Sequence, residues 1–116
     1  MNNYKSGHFA EFLTACYLRC FGYKILAKNY VTGKGTHAGE IDLIALKSKT
    51  LIFIEVKKRT SLETAAYSIS EAQKMRIHKG AEAFLKRFPK YQNFDIRFDA
   101  VLFQLPLNIR HLKNAF

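Results

Sequence analysis

Two carboxylates and a lysine sit in apolar stretches, where charge is expensive. Asp42 lies within Glu40-Ile41-Asp42-Leu43-Ile44-Ala45, and Glu55 lies within Phe53-Ile54-Glu55-Val56-Lys57. Both stretches read as β-strands, at about 40–46 and 51–59, joined by the polar link Lys47-Ser48-Lys49-Thr50. A charge inside such a strand must be paired, bound to metal or exposed. Side chains two apart share a face, so Glu55 goes with Lys57 and Glu40 with Asp42. A hairpin centred between Ser48 and Lys49 sets Asp42 directly opposite Glu55, and Glu40 opposite Lys57. Directly opposed Cβ atoms stand roughly 4.5–5.5 Å apart. Two carboxylates so placed repel each other, and a cation between them turns that cost into a site. Hard divalent ions such as Mg²⁺ take a few carboxylate oxygens, waters and substrate phosphates. A lysine beside them holds or activates a water, or stabilises charge on phosphorus. The chemistry of such a set is metal-assisted phosphodiester hydrolysis. The same residues also suit a solvated sheet face, with Glu55 and Lys57 as ordinary exposed charges and Asp42 near a turn.

The remaining elements must position that hairpin. Phe9, Phe12, Leu13, Cys16, Tyr17 and Cys20 recur at helical spacing and predict a helix over about 6–21, closed by Gly22. Glu11 lies on its other side with Ala15 and Leu18. It reads either as a solvated or ion-paired helix residue or as a carboxylate leaning toward the Asp42/Glu55 face. A strand is expected over about 23–31, and loops over 33–37 and 60–67. A second helix spans about 70–88, capped by Ser68 or Ser70 and stopped before Pro89. Lys74 shares its apolar side with Ile77, Ala81, Phe84 and Phe88, whereas Arg76, Lys79, Lys86 and Arg87 fall opposite. Lys74 either snorkels outward or completes a pocket. A last strand covers about 94–103, ended by Pro106, and a basic tail with Arg110, His111 and Lys113 follows. The order helix, three strands, helix, strand predicts an α/β fold with a mixed sheet flanked by helices.

Composition narrows the partners. The 116 residues make one domain, and 48% hydrophobic residues suit a globular core. Lys and Arg number 19 against 9 Asp and Glu, a net charge of +10 that attracts polyanions, nucleic acid first among them. No apolar run approaches the roughly 20 residues of a membrane span, and no signal peptide is expected. Cys16 and Cys20 read as core residues of the first helix. His8, His37, His78 and His111 are scattered without zinc-site spacing, so the expected setting is the reducing cytoplasm.

The ordered series of motifs extends beyond the hairpin. Gly7-x-x-x-Glu11-x-x-x-Ala15-x-x-Leu18 is followed by Gly22-Tyr23-x-Ile25-Leu26-x-x-Asn29. Then come Gly39-Glu40-Ile41-Asp42-Leu43-Ile44-Ala45, Phe53-Ile54-Glu55-Val56-Lys57-x-Arg59, Lys74, and Arg97-Phe98-Asp99. The chain thereby resembles the YraN-like bacterial proteins, which look like restriction-endonuclease-type nucleases of the PD-(D/E)XK superfamily and are similar to archaeal Holliday junction resolvases. The match runs over about 7–103. Glu-x-Lys alone is a weak signal; the full ordered series is a strong one. Two features depart from the superfamily pattern: Ile41 stands where proline commonly precedes the first aspartate, and no glycine follows Arg59. Together with the loop over 32–38, which is longer than the common form, they bear on substrate choice.

The resemblance implies a restriction-endonuclease-like α-β-β-β-α-β core over about 7–104 in a single nuclease-like domain, 1–116, with a basic tail over 105–116. It implies Asp42, Glu55 and Glu11 as metal ligands for Mg²⁺ or Mn²⁺, Lys57 as the catalytic lysine, and Lys74 as a supporting cation near the phosphate. Glu40 is either a partner of Lys57 or a distinct ligand. Lys58, Arg59, Arg76 and Lys79 form the expected phosphate-binding surface, which recognises DNA shape rather than sequence. The expected activity is endonucleolytic cleavage of DNA, branched or duplex. The alternative is a non-catalytic nucleic-acid-binding accessory in recombination, repair or DNA uptake, and an RNA-associated protein is a third reading. By analogy with the resolvases, a homodimer is expected, with Phe103, Leu105 and Leu107 as interface or core.

Overall fold

Two apolar strands joined by a short polar link fold back on each other. β2 (Gly39–Lys47) and β3 (Thr50–Arg59) form an antiparallel hairpin centred between Ser48 and Lys49, with Ser48 at a left-handed φ of 54°. The computed structural model describes residues 3–32, 39–59, 69–104 and 108–116. The expected loops over 33–37 and 60–67, the alternative cap Ser68, and Leu105, Pro106 and Leu107 lie outside the described residues.

β4 (Asp95–Gln104) runs parallel to β3, and a parallel neighbour demands a crossover, which α2 (Glu71–Arg87) supplies. β1 (Lys24–Thr32) pairs antiparallel with β2 on the other side. α1 (Asn3–Cys20) covers one face through Ala15 and Leu18, which pack on Leu43, Ala45, Ile52, Ile54 and Val101. α2 covers the other through Ile77, Ala81 and Phe84, which pack on Ile44, Leu51 and Phe53. β3 is therefore enclosed on both faces, and this is why Leu51-Ile52-Phe53-Ile54 is apolar without alternation and fully buried. The result is a five-stranded mixed α/β sheet flanked by helices, with β1-β2-β3-β4 in that order and a fifth strand beyond β4, consistent with a restriction-endonuclease-like core.

The helix ends follow local chemistry. Ser70 caps α2, accepting from the Gln73 N–H while the Gln73 side chain accepts from the Ser70 N–H, a reciprocal capping box. Gly22 takes a φ of +87° after α1, and the Tyr23 N–H reaches back to the Leu18 carbonyl.

Two features differ from the sequence reading, and one open alternative is settled. The segment read as a basic tail forms β5 (Asn108–Leu112), antiparallel to β4 at the sheet edge, because His111 has a buried carboxylate to bond. Of the two readings of Phe103, interface or core, the structure shows core: it is 1% exposed. Most consequentially, α1 is rotated. Among its described side chains, Ala10, Thr14, Ala15 and Leu18 are buried, while Phe9 and Phe12 are exposed, Cys16 is half-buried and Cys20 is exposed. α1 is apolar around most of its circumference, so periodicity alone does not choose the inner side. Small residues let the helix approach the sheet closely, and they win over the larger rings.

Candidate active site

The hairpin does not carry its ladder through the carboxylates. Leu43 packs in the cluster under α1, yet Ile41, two residues away, packs in the cluster under α2. Residues two apart on a regular strand share a face, so side-chain alternation resets at Asp42. Across on β1, Asn29 adopts a left-handed φ of 52° between the pairs Lys28↔Leu43 and Tyr30↔Ile41. The β1–β2 pairing keeps its register across this level. The β2–β3 register ends at Leu43↔Ile54, one step short of Asp42. The expected direct pairing of Asp42 with Glu55, and of Glu40 with Lys57, is thus replaced by a splayed end. There the Val56 N–H donates to Asp42 Oδ2 at 2.8 Å. The carboxylate takes the place of a backbone acceptor, and the parting strands leave room beside it.

α2 is drawn close to that room. It crosses β2 at Gly80, where an added Cβ would stand 3.0 Å from the Ile41 side chain. Glycine permits this approach, and the first turns of α2 reach the open end of the hairpin. The cavity formed there holds about 340 Å³. α1 contributes Glu11, β2 Glu40 and Asp42, β3 Glu55, Lys57 and Lys58, and α2 Gln73 and Arg76. Four of the chain's 9 acidic residues meet here, in a protein of net charge +10. The rotation of α1 that exposes Phe9 and Phe12 is what turns Glu11 inward.

The electrostatics are uneven. Burial, then the neighbouring Glu55, pushes the Asp42 carboxyl from 3.8 up to about 8. The Val56 hydrogen bond and the Lys57 charge oppose this and do not offset it, while Glu11 adds to it. Lys57 Nζ lies 3.0 Å from Glu55 Oε1, both largely shielded from solvent. Asp42 and Glu55 offer hard oxygen donors suited to a divalent cation, with Glu11 and Glu40 in the same wall. Among the described residues, no three carboxylate, imidazole or thiol groups already stand together as a closed cation cage.

The other residues singled out in the sequence fall as follows. Lys74 does not line the cavity; its ammonium sits 3.4 Å from Glu71 one turn back on α2. Arg76, expected on the far side of the helix, lines the cavity instead, because the Gly80 crossing rolls Gln73, Arg76 and Ile77 toward β2. Lys58 lies on the cavity rim and is exposed, and Lys79 is exposed on α2. Arg59 ends β3 opposite Gln104, and its side chain is outside the described residues. Gln73 is absent from the sequence reading; the S-x-x-Q spacing before α2 signals its capping role but not its place in the cavity wall.

A second polar cluster lies under α1. Asp99 is fully buried and accepts from Arg97 Nε and Nη2, both at 2.8 Å, and from the Asn114 N–H at 2.9 Å. His111 Nε2 lies 2.7 Å from its Oδ2, and Arg97 also donates to the Tyr23 hydroxyl at 2.9 Å. Burial alone would raise Asp99, yet His111, Arg97 and Asn114 together hold its carboxyl below the ordinary value. No member of this cluster lines the cavity.

Comparison with known proteins places this architecture in one family. A UPF0102 protein of Paramagnetospirillum magneticum is 42% identical over 97% of this chain and 87% of its own length. UPF0102 proteins of Nitrobacter winogradskyi and Rhodopseudomonas palustris are each 41% identical over 97% of this chain, covering 92% and 81% of their own lengths. Among the described residues, no helix is long and apolar enough to cross a membrane. The profile of the Uncharacterised protein family UPF0102 matches residues 10–103, including the hairpin, α2 and Glu11, and the chain belongs to that family.

Proposed function

We propose that the chain is a divalent-metal-dependent DNA endonuclease of the reducing cytoplasm, hydrolysing phosphodiester bonds in the cavity between the splayed hairpin, α1 and α2. The observation that carries this reading is the convergence of Glu11, Asp42, Glu55 and Lys57 on one cavity, with Lys57 Nζ 3.0 Å from Glu55 Oε1. Two half-buried carboxylates that repel each other in a basic protein are a cost without a cation and a binding site with one.

Asp42 and Glu55 are the residues that would hold Mg²⁺ or Mn²⁺, with Glu11 as a third acidic group in the wall. Bound there, such an ion lowers the pKa of water and polarises a phosphoryl oxygen. The chain's own residues do the rest. The Val56 N–H fixes one Asp42 oxygen, leaving the other for the cavity. Lys57 Nζ, now 3.0 Å from Glu55, is a donor for a water or for developing negative charge on phosphate. Arg76 and Lys58, at the cavity wall and rim, orient the scissile phosphate and its neighbours. Arg59 and Lys79 extend the basic surface, and Lys74 acts at most through its neighbours.

A second reading, a nucleic-acid-binding accessory without catalysis, draws on the net charge of +10. One experiment separates the two. Labelled four-way junction, flap, single-stranded and plain duplex DNA are incubated with Mn²⁺, using wild type and Asp42→Ala, with a chelator control. Cleavage by wild type alone is the expected result, and the preferred substrate names the DNA shape recognised. Binding by both proteins with cleavage by neither would replace the nuclease with the accessory.

A further inference from the structure

The outer side of α1 carries apolar surface that the described residues leave uncovered. Phe9 is 44% exposed and Phe12 is 53% exposed, three residues apart on one helix face. Neither ring is stranded from charge or from the cavity. Lys28 on β1 holds its ammonium 5.9 Å from the centre of the Phe12 ring. Phe9 stacks edge-on against Phe103 at 6.4 Å, and Phe103 is the β4 partner of Lys58 on the cavity rim. Phe9 also directly precedes Ala10 and Glu11, which line the cavity. Two exposed rings with a cation between helix and strand thus lead away from the rim along α1.

Charge selects the occupant. Lys28 stands over the Phe12 ring, Glu11 on the same helix is turned into the cavity, and the chain carries a net charge of +10. A second copy docked on this face would bring like net charge against like. A polyanion carrying flat apolar faces matches both features, because every nucleobase presents a π-face and every linkage a phosphate. Paired bases are hidden inside their stack, so the rings are of use only to unpaired ones.

We propose that Phe9 and Phe12, with Lys28, form a stacking platform for an unpaired stretch of single-stranded DNA leading to or from the cavity. The choice of DNA, and the cavity as its destination, rest on the nuclease reading. Binding itself does not, so the test is run with chelator present and without cleavage.

The probe is a labelled oligothymidylate of about 15 nucleotides, compared with a duplex and an oligouridylate of equal length, by fluorescence anisotropy at matched salt. Phe12→Ala should weaken oligothymidylate binding about tenfold and leave duplex binding nearly unchanged. The chain has no tryptophan, so Phe12→Trp supplies a single indole; it should retain affinity, and its emission should be quenched by the oligonucleotide. Lys28→Ala should reduce the slope of affinity against salt by about one. Unchanged binding in Phe12→Ala, an equal loss on duplex, an unquenched indole, or tighter binding to oligouridylate would each overturn the platform. So would light scattering that finds a wild-type dimer and a Phe12→Ala monomer, which would assign the face to a second copy.

Discussion

Asp42 and Asp99 are both aspartates withdrawn from water in one sheet, and their surroundings treat them in opposite ways. Asp99 is surrounded by donors: two from Arg97, one from Asn114, and the ring of His111. Asp42 has one backbone donor, a neighbouring carboxylate, and an open cavity on its other side. Burial pushes both carboxyls up, but only Asp99 has enough partners to be carried back below its ordinary value. The difference separates a carboxylate used to build from one held ready to bind. A saturated acid has no capacity left for a ligand, whereas an under-satisfied one is stabilised by whatever cation arrives.

Removing the saturated acid should have the larger effect on stability. Asp99→Ala strands the Arg97 guanidinium and the His111 ring, and should cost about 3–5 kcal/mol, read as a lowered midpoint in urea unfolding. The folded pKa of Asp99 lies below its unfolded value, so its stabilisation is present above the unfolded pKa. It is lost as pH falls through the folded one. The gap between wild type and Asp99→Ala should therefore narrow in strong acid. A gap constant down to the acid limb would mean that the cluster is held by packing rather than by charge.

Asp42→Asn should go the other way. With a folded pKa of about 8 against 3.8, wild type loses stability as pH rises from about 4 to about 8. The uncharged amide should escape that loss. In metal-free buffer at pH 8 the variant should be more stable by about 1–3 kcal/mol, with the gain absent near pH 4. Divalent cation should then raise the melting temperature of wild type and not of the variant. A destabilised Asp42→Asn would erase the contrast between the two aspartates.

The smallest effect is expected at Lys74. Its partner Glu71 is exposed, and such pairs contribute little. Lys74→Ala should shift stability by less than about 0.5 kcal/mol and leave DNA cleavage within a few-fold of wild type. A loss comparable to that of Lys57→Ala would show that Lys74 leaves Glu71 when substrate binds.

Much of the cavity is legible along the chain. Glu55 and Lys57 share a face because strands alternate. Ser48 and Lys49 turn the hairpin because a polar pair separates two apolar runs. α2 starts after Ser70, one of the two serines the sequence offers as its cap. These are short-range consequences of backbone geometry, and they bring the acidic and basic groups to one end of the hairpin. Asp99 could be noticed as one more charge among apolar neighbours, with Arg97 two residues away on the same face, but its remote partners His111 and Asn114 lie 12 and 15 residues on.

What local pattern could not choose was decided by contact. α1 carries apolar residues on nearly every side, and only the fit of Ala10, Ala15 and Leu18 against the sheet selects the face that turns Glu11 inward. The β2–β3 ladder ends at Leu43↔Ile54, where the Val56 N–H donates to the Asp42 carboxylate instead of a backbone carbonyl. Arg76 reaches the cavity because Gly80 lets α2 lie against Ile41. Residue types and their alternation determined which groups could meet; the packing of helices on both faces of the sheet decided which ones did, because burial rewards the closest fit rather than the longest apolar stripe.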